Sequence, residues 1–198
     1  MTVPALLCWV FAYLSGSVPF AVWITRWTKG IDLRDGGSGH MTTTNTIRQA
    51  GWAPGIAVFL LDTAKGWLPT YLAVQLGLPD WAVGLAAVLA LAGHCWPVFA
   101  QFRGGTGLAV TGGALLAVSP LAFLIAAGIF IFFLLVTRHA ARGSIFAALL
   151  FPLVIWLVGL RGVVTWMSVP AGLLLAVRYT LDWNRKYREL WLDREKQS

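Results

Sequence analysis

A stretch rich in glycines and hydroxyl side chains carries the residue types that bind phosphate. It runs Asp35-Gly36-Gly37-Ser38-Gly39-His40-Met41-Thr42-Thr43-Thr44-Asn45-Thr46-Ile47-Arg48. Glycines let backbone N–H groups approach an anion closely, hydroxyls and an amide can hydrogen-bond it, and Arg48 can clamp it with two parallel bonds. The stretch lacks the Gly-Lys-Ser/Thr of a nucleotide-binding P-loop. A plain turn is the alternative interpretation of such a stretch taken alone.

Two further polar islands interrupt the apolar background. In one, Gly93-His94-Cys95-Trp96-Pro97 leads into Phe102-Arg103-Gly104-Gly105-Thr106-Gly107, where glycines before a helix start suit an oxyanion held on backbone N–H groups. His94 is either a direct participant in chemistry or a structural hydrogen-bonding residue at a helix end. The other island is Arg138-His139-Ala140-Ala141-Arg142-Gly143-Ser144, for which a basic flank before a helix start of small residues is the competing interpretation.

One acidic and one basic residue lie inside an otherwise apolar stretch. Asp62 and Lys65 are three positions apart, so a helix would place them on one face within pairing distance. Ionisable residues within a membrane span are costly unless they pair or face a polar interior. The pair is expected either to act as structural glue or to brace the glycine-rich stretch that precedes it.

The composition identifies the surroundings that must position these residues. Of 198 residues, 58% are hydrophobic and only 12% are charged, and the mean hydropathy is +0.73. A soluble domain of this size cannot hide so much apolar surface in one core. The net charge of +7 does not indicate a nucleic-acid partner, because Lys and Arg lie between and after the apolar stretches. The sequence predicts a multi-span membrane protein.

The apolar stretches predict an all-α protein with seven transmembrane helices. The predicted spans are residues 4–25, 53–76, 81–101, 107–118, 120–137, 143–160 and 162–179. The fourth is too short to cross alone, and Ser119-Pro120 could instead be a kink in one longer helix, which leaves six spans. Because no basic leader precedes the first apolar segment, that segment is expected to remain as a span.

Basic residues favour seven spans over six. Lys and Arg are retained on the cytoplasmic side during insertion, and in a seven-span arrangement Arg161 is the only one predicted to lie outside. Lys65 lies within a span. The inner side then holds Arg26, Lys29, Arg34, Arg48, Arg103, Arg138, Arg142, Arg178, Arg185, Lys186, Arg188, Arg194 and Lys196. The amino end is therefore predicted outside and the carboxyl end in the cytoplasm, with all three polar islands on the cytoplasmic side.

The chain is predicted to divide into a single transmembrane domain, residues 1–182, and a basic cytoplasmic tail, residues 183–198. Aromatic and basic residues alternate at helical spacing in the tail, which indicates either an interfacial amphipathic helix or a solvated basic segment. Cys8 and Cys95 lie in apolar stretches and are expected to pack as small hydrophobes. Neither a disulfide, a metal site nor a cofactor is expected.

The order and spacing of the islands resemble the bacterial acyl-phosphate:glycerol-3-phosphate acyltransferases of the PlsY type over nearly the whole chain. That family carries Gly-Ser-Gly-Asn-x-Gly-Ala-Thr-Asn-x-x-Arg, Asp-x-x-Lys-Gly, Gly-His-x-x-Pro-Val-Phe, Lys-Gly-Gly-Lys-Gly, a Ser-containing loop and Arg-His-x-x-Asn. The counterparts here are Gly37 to Arg48, Asp62 to Gly66, Gly93 to Phe99, Arg103 to Gly107, Ser144, and Arg178 to Asp182. The resemblance also implies a seven-helix fold with the carboxyl end inside.

The resemblance implies a reaction and a set of site residues. Members move a fatty acyl group from acyl phosphate to glycerol 3-phosphate in phospholipid synthesis, in the bacterial inner membrane, without a covalent enzyme intermediate. By resemblance the catalytic residues are Ser38, Arg48, His94 and Ser144. The substrate-binding residues are Gly37, Gly39, Thr44, Asn45, Gly104, Gly105, Thr106, Gly107, Tyr179 and Asp182. The implied partners are acyl phosphate, glycerol 3-phosphate and the lipid bilayer, while protein partners stay unknown.

The chain departs from the family pattern at positions expected to touch the substrates. Family Asn is His40, Gly-Ala is Thr42-Thr43, Lys is Thr106, and His and Asn are Tyr179 and Asp182. Loss of the Lys removes a charge facing phosphate, a contact worth about 1.5 to 3 kcal/mol, and a carboxylate at 182 would repel an anion that it faced. These departures leave open an altered acceptor of lower charge, or a catalytically impaired relative that binds phosphorylated lipid or a membrane partner. A small-solute transporter is a weaker alternative.

Overall fold

The structure is a computed structural model that describes residues 3–185, and within that range it is entirely helical. Two short 3₁₀ turns, Leu33–Asp35 and Val98–Ala100, accompany the α-helices. The α-helices are α1 Val3–Ser17, α2 Phe20–Lys29, α3 Thr43–Ala50, α4 Trp52–Gln75, α5 Asp80–Cys95, α6 Leu108–Val118, α7 Pro120–Thr137, α8 Ala140–Val158 and α9 Val163–Thr180.

Five helical segments of the described chain are long and apolar enough to cross a membrane. They are Val3–Lys29, Asp80–Ala100, Pro120–Thr137, Ala140–Val158 and Val163–Thr180. The predicted all-α, multi-span character is therefore confirmed. The predicted number of seven requires two more crossings. One is α4, which has 24 residues but carries Asp62 and Lys65, and the other is α6, which has 11.

The first predicted span, residues 4–25, is not one continuous helix. It breaks at Val18-Pro19, because proline has no N–H to donate to the preceding turn. At this break the carbonyl oxygen of Val18 accepts hydrogen bonds from the N–H of Phe20 and from Lys65 Nζ, both at 3.1 Å. The chain then continues as α2 to Lys29 and ends on Gly30, whose φ of 68° is the left-handed conformation that suits glycine at a helix end.

The chain also breaks at Ser119-Pro120, which decides between two helices and one kinked helix. Ser119 has an extended backbone, with φ −161° and ψ 101°, and its Oγ accepts a hydrogen bond from the N–H of Ala122 at 3.2 Å. Serine at the N-cap followed by proline at the first helical position is the expected start of a new helix. Therefore α6 and α7 are separate helices.

Helix α6 is short because it begins inside the protein. After α5 ends at Cys95, the chain turns back inward, so that Gly107, before the start of α6, lies against Leu91 and Cys95. Helix α6 then packs closely on α4, since a Cβ on Gly66 would overlap the carbonyl of Val110. Non-helical backbone at membrane depth is tolerated where protein buries it or where it lines a cavity. The re-entrant loop thus reaches the interior.

Helix α3 was not foreseen, because the sequence around Asn45 reads as a polar loop. The hydroxyl of Thr42 accepts a hydrogen bond from the N–H of Asn45 at 3.3 Å and caps the first turn. The helix packs on α4 and ends at Gly51, whose φ is 97°. Tertiary packing here overrides a weak local helix propensity.

Candidate functional site

A cavity of about 580 Å³ lies among α4, α6, α7, α8 and α9. Most of its wall is apolar, with Leu60, Leu115, Phe130, Phe151 and Met167 as representative residues. Polar side chains gather in the same wall, contributed by Thr42, Thr43, Thr44, Asp62, His94, Thr106, Ser144 and Tyr179. A mainly apolar pocket with a few convergent polar groups is typical of a site for a ligand that has a hydrocarbon part and a polar head.

The glycine-rich stretch before α3 is folded around Asn45, which is fully buried. The side-chain oxygen of Asn45 accepts the N–H of Ser38 at 3.1 Å. Its Nδ2 lies within donor distance of the carbonyl oxygens of Leu33 (3.3 Å), Gly36 (3.3 Å) and His40 (3.0 Å). These contacts use both the oxygen and the nitrogen of the side-chain amide, so Asn45 holds the backbone of the loop in this conformation.

Glycines on both sides of Ser38 make that loop possible. Gly37 and Gly39 have φ of 58° and 70°, and a Cβ on Gly37 would overlap Asn45 Oδ1. Ser38 itself is 6% exposed, and its Oγ accepts the N–H of His40 at 3.3 Å. Arg48 lies on the following helix, α3, and is half-buried. The structure therefore places Ser38 on a tightly defined loop.

Arg178 of α9 holds the second glycine loop in place and joins it to the first. Its Nε donates to the Gly105 carbonyl at 3.0 Å and its Nη2 to the Gly104 carbonyl at 3.1 Å. The Gly104 carbonyl also accepts the N–H of Met41 at 3.4 Å. A Cβ on Gly105 would overlap the His94 ring, so the loop lies directly on that histidine. The two predicted glycine loops thus meet in space.

The predicted pairing of Asp62 with Lys65 is confirmed. In addition, Asp62 lies close to His94, and Lys65 contacts the chain between the first two helices. Asp62 Oδ1 is 2.9 Å from Lys65 Nζ and 3.9 Å from His94 Nδ1. Among the described residues His94 Nδ1 is buried and makes no hydrogen bond. Lys65 also binds the Val18 carbonyl. The Asp62–Lys65 pair therefore supports the cavity wall at His94, and Lys65 donates a hydrogen bond to a backbone carbonyl at the break before Pro19.

Ser144 lies in the first turns of α8 and reaches the same cavity. Its Oγ donates to the Ala140 carbonyl at 2.8 Å, which leaves the oxygen lone pairs available as acceptors. His139 precedes the helix, and its Nδ1 accepts the N–H of Arg142 at 3.4 Å. The third polar island therefore contributes both a capped helix N-terminus and a hydroxyl.

Tyr179 and Asp182 lie at the end of α9, and of the two only Tyr179 lines the cavity. The Tyr179 hydroxyl donates to Thr106 Oγ1 at 2.9 Å. Asp182 Oδ2 is 2.8 Å from His40 Nε2, and Asp182 Oδ1 is 2.8 Å from Arg185 Nη1. The expected repulsion by Asp182 is thus offset by the cationic Arg185 and by His40. The sequence alone did not predict the contacts of Tyr179 with Thr106 and of Asp182 with His40, and it did not identify Arg178 as a site residue.

A smaller ionic cluster fixes the chain between α2 and the first glycine loop. Asp32 accepts hydrogen bonds from Arg34 Nε at 3.0 Å and Nη2 at 2.7 Å, and from Arg26 Nη2 at 2.7 Å. The bond from Arg34 is the largest cause that holds the pKa of the Asp32 carboxyl well below its usual range. In residues 3–185, no three His, Cys, Asp or Glu side chains come together as a metal site would require.

The family model for glycerol-3-phosphate acyltransferase matches residues 6–189, which is nearly the whole chain. The chain belongs to the glycerol-3-phosphate acyltransferase family. The resemblance noted from the sequence motifs is thereby confirmed.

Named relatives agree with this assignment to the acyltransferase family. The glycerol-3-phosphate acyltransferase of Myxococcus xanthus is 47% identical over 143 residues, covering 70% of this chain and 72% of the relative. Glycerol-3-phosphate acyltransferase 2 of Moorella thermoacetica is 43% identical over 150 residues, with 76% and 77% covered. The corresponding protein of Synechococcus sp. strain CC9902 is 37% identical over 179 residues and covers 90% of both chains.

Solved structures of a family member share the fold. The crystal structure of PlsY, an integral membrane glycerol 3-phosphate acyltransferase, in its glycerol 3-phosphate form has a TM-score of 0.83 and 35% identity, covering 91% of this chain and 90% of that chain. Its lysophosphatidic acid form has a TM-score of 0.82 and 34% identity over the same shares. The protein is therefore an acyltransferase of phospholipid synthesis and an integral membrane protein. An impaired binding-only relative is not favoured.

Proposed function

We propose that this acyltransferase moves a fatty acyl group from acyl phosphate to the 1-hydroxyl of glycerol 3-phosphate. The observation that carries the proposal is one cavity whose apolar body matches a hydrocarbon chain and whose polar wall contains His94, Thr106 and Ser144. The acyl chain would lie among α4, α6, α7 and α8, and the phosphate of the donor would lie at the polar wall. The products are lysophosphatidic acid and inorganic phosphate.

Two helix N-termini support an anion at this polar wall. Thr42 to Thr44 begin α3, Gly107 and Leu108 begin α6, and all of these residues line the cavity. The N-terminus of a helix carries a partial positive charge and N–H groups without helical partners. These groups can hold phosphate oxygens even though position 106 lacks the lysine of the family pattern.

The reaction requires no covalent enzyme intermediate, because acyl phosphate is already activated. The acceptor oxygen attacks the acyl carbonyl carbon, a carbon–oxygen bond forms, and the bond from that carbon to the phosphate oxygen breaks. The departing phosphate takes the hydroxyl proton, so atoms and charge balance. The protein contributes the placement of the two substrates and the stabilisation of charge on the carbonyl oxygen.

The proposed roles combine the family resemblance with the position of each residue. Ser38, Arg48, His94 and Ser144 are the proposed catalytic residues, and His94 and Ser144 line the cavity directly. The backbones of the two glycine loops and Thr44 are the proposed contacts to phosphate. They comprise Gly37, Gly39, Gly104, Gly105, Thr106 and Gly107. The proposed role of Asn45 is to hold the Ser38 loop, since its amide is bonded to that loop.

Seven crossings, with the amino end outside and the carboxyl end in the cytoplasm of a bacterial inner membrane, are the proposed topology. Arg34, Arg103 and Arg185 donate hydrogen bonds to the carbonyls of Ala100, Arg34 and Ser38, respectively. These contacts support a topology in which the basic residues lie at the same end of the protein. Arg161 lies beside Asp80 and Ser119 in a separate depression. In this scheme α4 and α6 are the two additional crossings, and residues 1–182 form one domain. The proposed tail lies mostly outside the described residues.

The donor proposal is tested with purified protein in detergent, supplied with radiolabelled glycerol 3-phosphate. Palmitoyl phosphate is expected to give lysophosphatidic acid, and a palmitoyl thioester is expected to give none. Ser144→Ala is expected to reduce turnover strongly, whereas Ser15→Ala on α1 is the matched control. Product from the thioester alone, or no product from folded protein with either donor, would overturn the proposal.

The topology is tested by labelling single cysteines in intact cells with a membrane-impermeant maleimide, in a background without Cys8 and Cys95. Arg161→Cys is expected to react from outside, and Arg103→Cys only after the membrane is permeabilised. Equal labelling of both positions in intact cells would contradict the proposed orientation.

A further inference from the structure

The end of α9 contacts both glycine loops through two pairs of side chains. Tyr179 bonds Thr106 at 2.9 Å, and Asp182 lies 2.8 Å from His40. These four residues are among the positions where the chain departs from the family pattern. The replaced residues therefore contact each other in pairs across sequence separations of 73 and 142 residues.

The Asp182 pair is part of a network that encloses the Ser38 loop. Arg185 Nη1 is 2.8 Å from Asp182 Oδ1 and donates to the Ser38 carbonyl at 2.7 Å. Arg178 Nη2 is 3.4 Å from His40 Nδ1 on the other side of the imidazole. The loop is thus attached at Ser38 through Arg185 and at His40 through Asp182, with one carboxylate common to both attachments.

Burial makes this carboxylate dependent on its partners. Asp182 is only 3% exposed, and a buried carboxylate that loses its cationic partner is strongly destabilised. Both of its oxygens lie within ion-pair distance of protein groups, Oδ2 at 2.8 Å from His40 Nε2 and Oδ1 at 2.8 Å from Arg185 Nη1. Among the described residues, Tyr179 lines the cavity and Asp182 does not. Asp182 therefore contacts other protein side chains and does not form part of the cavity surface.

We propose that Asp182 is a positioning residue that acts on Ser38 through His40 and Arg185, and that it does not bind substrate. The proposal rests on the proposed function in one respect, the assignment of Ser38 to the reaction. Asp182 fixes the His40 ring and the Arg185 guanidinium, and these two groups hold the backbone from the Ser38 carbonyl to His40, next to the Ser38 hydroxyl. His40 and Asp182 are then functional only as a matched pair.

The first experiment is a double-mutant cycle of His40→Asn and Asp182→Asn, with turnover and KM for glycerol 3-phosphate measured separately. Each single change is expected to lower kcat about tenfold or more, with KM for glycerol 3-phosphate nearly unchanged. The double change restores two neutral amides and is expected to recover most of the lost kcat, because residues in direct contact show non-additive effects. Asp35→Asn, the same charge change at an exposed residue of the neighbouring loop, is the matched control.

The result for KM separates positioning from substrate binding. If Asp182 faced the phosphate of the acceptor, removal of its negative charge would lower KM and leave kcat close to that of the wild type. That result would overturn the proposal, as would strictly additive losses in the double variant. Asp182→Glu, which keeps the charge, is expected to retain more kcat than Asp182→Asn.

A second readout does not depend on activity. Hydrogen–deuterium exchange of residues 36–42 is expected to accelerate in Asp182→Asn and in His40→Asn, but not in Asp35→Asn, while residues of α7 stay unchanged. Unaltered exchange in folded Asp182→Asn would refute the positioning role. If wild-type protein shows no turnover with any donor, the proposed function fails, and the exchange experiment still decides whether Asp182 orders the Ser38 loop.

Discussion

Replacement of Arg178 tests how far the second glycine loop depends on one side chain. Arg178 is 8% exposed, and its guanidinium donates to two adjacent carbonyl oxygens, those of Gly104 and Gly105, through two different nitrogens. Arg178→Lys keeps the positive charge but replaces a planar fork with a single ammonium. One nitrogen cannot reproduce both bonds in the same plane, so about one of the two is lost.

The size of the effect follows from the strength of that bond. A hydrogen bond to a charged group contributes about 1.5 to 3 kcal/mol, and burial here leaves little discount for solvent. If the whole loss of free energy raises the activation barrier through a changed loop conformation, turnover decreases about tenfold to about a hundredfold. Any share that is taken up by relaxation of the loop reduces this value, so the range is an upper bound.

The assay is initial-rate formation of lysophosphatidic acid by Arg178→Lys in detergent, with thermal unfolding as the stability measurement. Arg161→Lys is the matched control, because Arg161 also donates to two backbone carbonyls, of Trp156 and Leu160, but is exposed at the other end of the bundle. Arg161→Lys is expected to stay within about twofold of wild type, as is usual for exposed contacts. Arg178→Lys activity equal to that of the control would refute the reasoning.

Two further predictions concern stability. Asp32→Asn should lower the unfolding temperature at pH 7, and the difference from wild type should shrink below about pH 4. The reason is that a carboxyl whose pKa is depressed in the folded state loses its contribution to stability as the pH falls below its pKa in the unfolded state. A constant difference between pH 7 and pH 3 would contradict this. Lys65→Met strands the buried Asp62 carboxylate and should cost about 3 to 5 kcal/mol, with recovery in Asp62→Asn/Lys65→Met. Exposed Lys29→Met is the control, and equal melting curves for the two lysine variants would exclude the buried pair as a stabilising element.

Features with a local signature in the sequence were predicted correctly. The long apolar segments gave α7, α8 and α9 within a few residues of their observed bounds, because hydrocarbon thickness sets a minimum length for a span. The pairing of Asp62 with Lys65 followed from helical spacing alone. Serine followed by proline marked a helix start at position 119, although spacing alone did not distinguish a start from a kink.

Features that depend on distant contacts were not predictable. The chain closes loops of 73 residues to bring Arg178 to Gly105 and Tyr179 to Thr106, and no local pattern reports such closure. Helix α3 is likewise stabilised by packing on α4 and by Thr42, so propensity alone did not indicate it. The inward course of the loop before α6, which explains why 11 residues suffice there, depends on glycine contacts with α5.

The neutral residue at position 106 illustrates why the site has to be considered as a set of contacts. From the sequence, threonine in place of lysine is the loss of one charge. In the structure, Arg178 binds the carbonyls of Gly104 and Gly105, which aligns two successive peptide groups with their negative ends toward the guanidinium. In a trans peptide the N–H points opposite to the carbonyl, so the N–H of Thr106 points away from Arg178, and Thr106 lines the cavity. The N–H of Gly105 donates to the His94 carbonyl at 3.1 Å, so positive potential at the cavity can come from the Gly105–Thr106 peptide group and from helix N-termini. Arg178 fixes the direction of that peptide group, so a side-chain ammonium at 106 is not required.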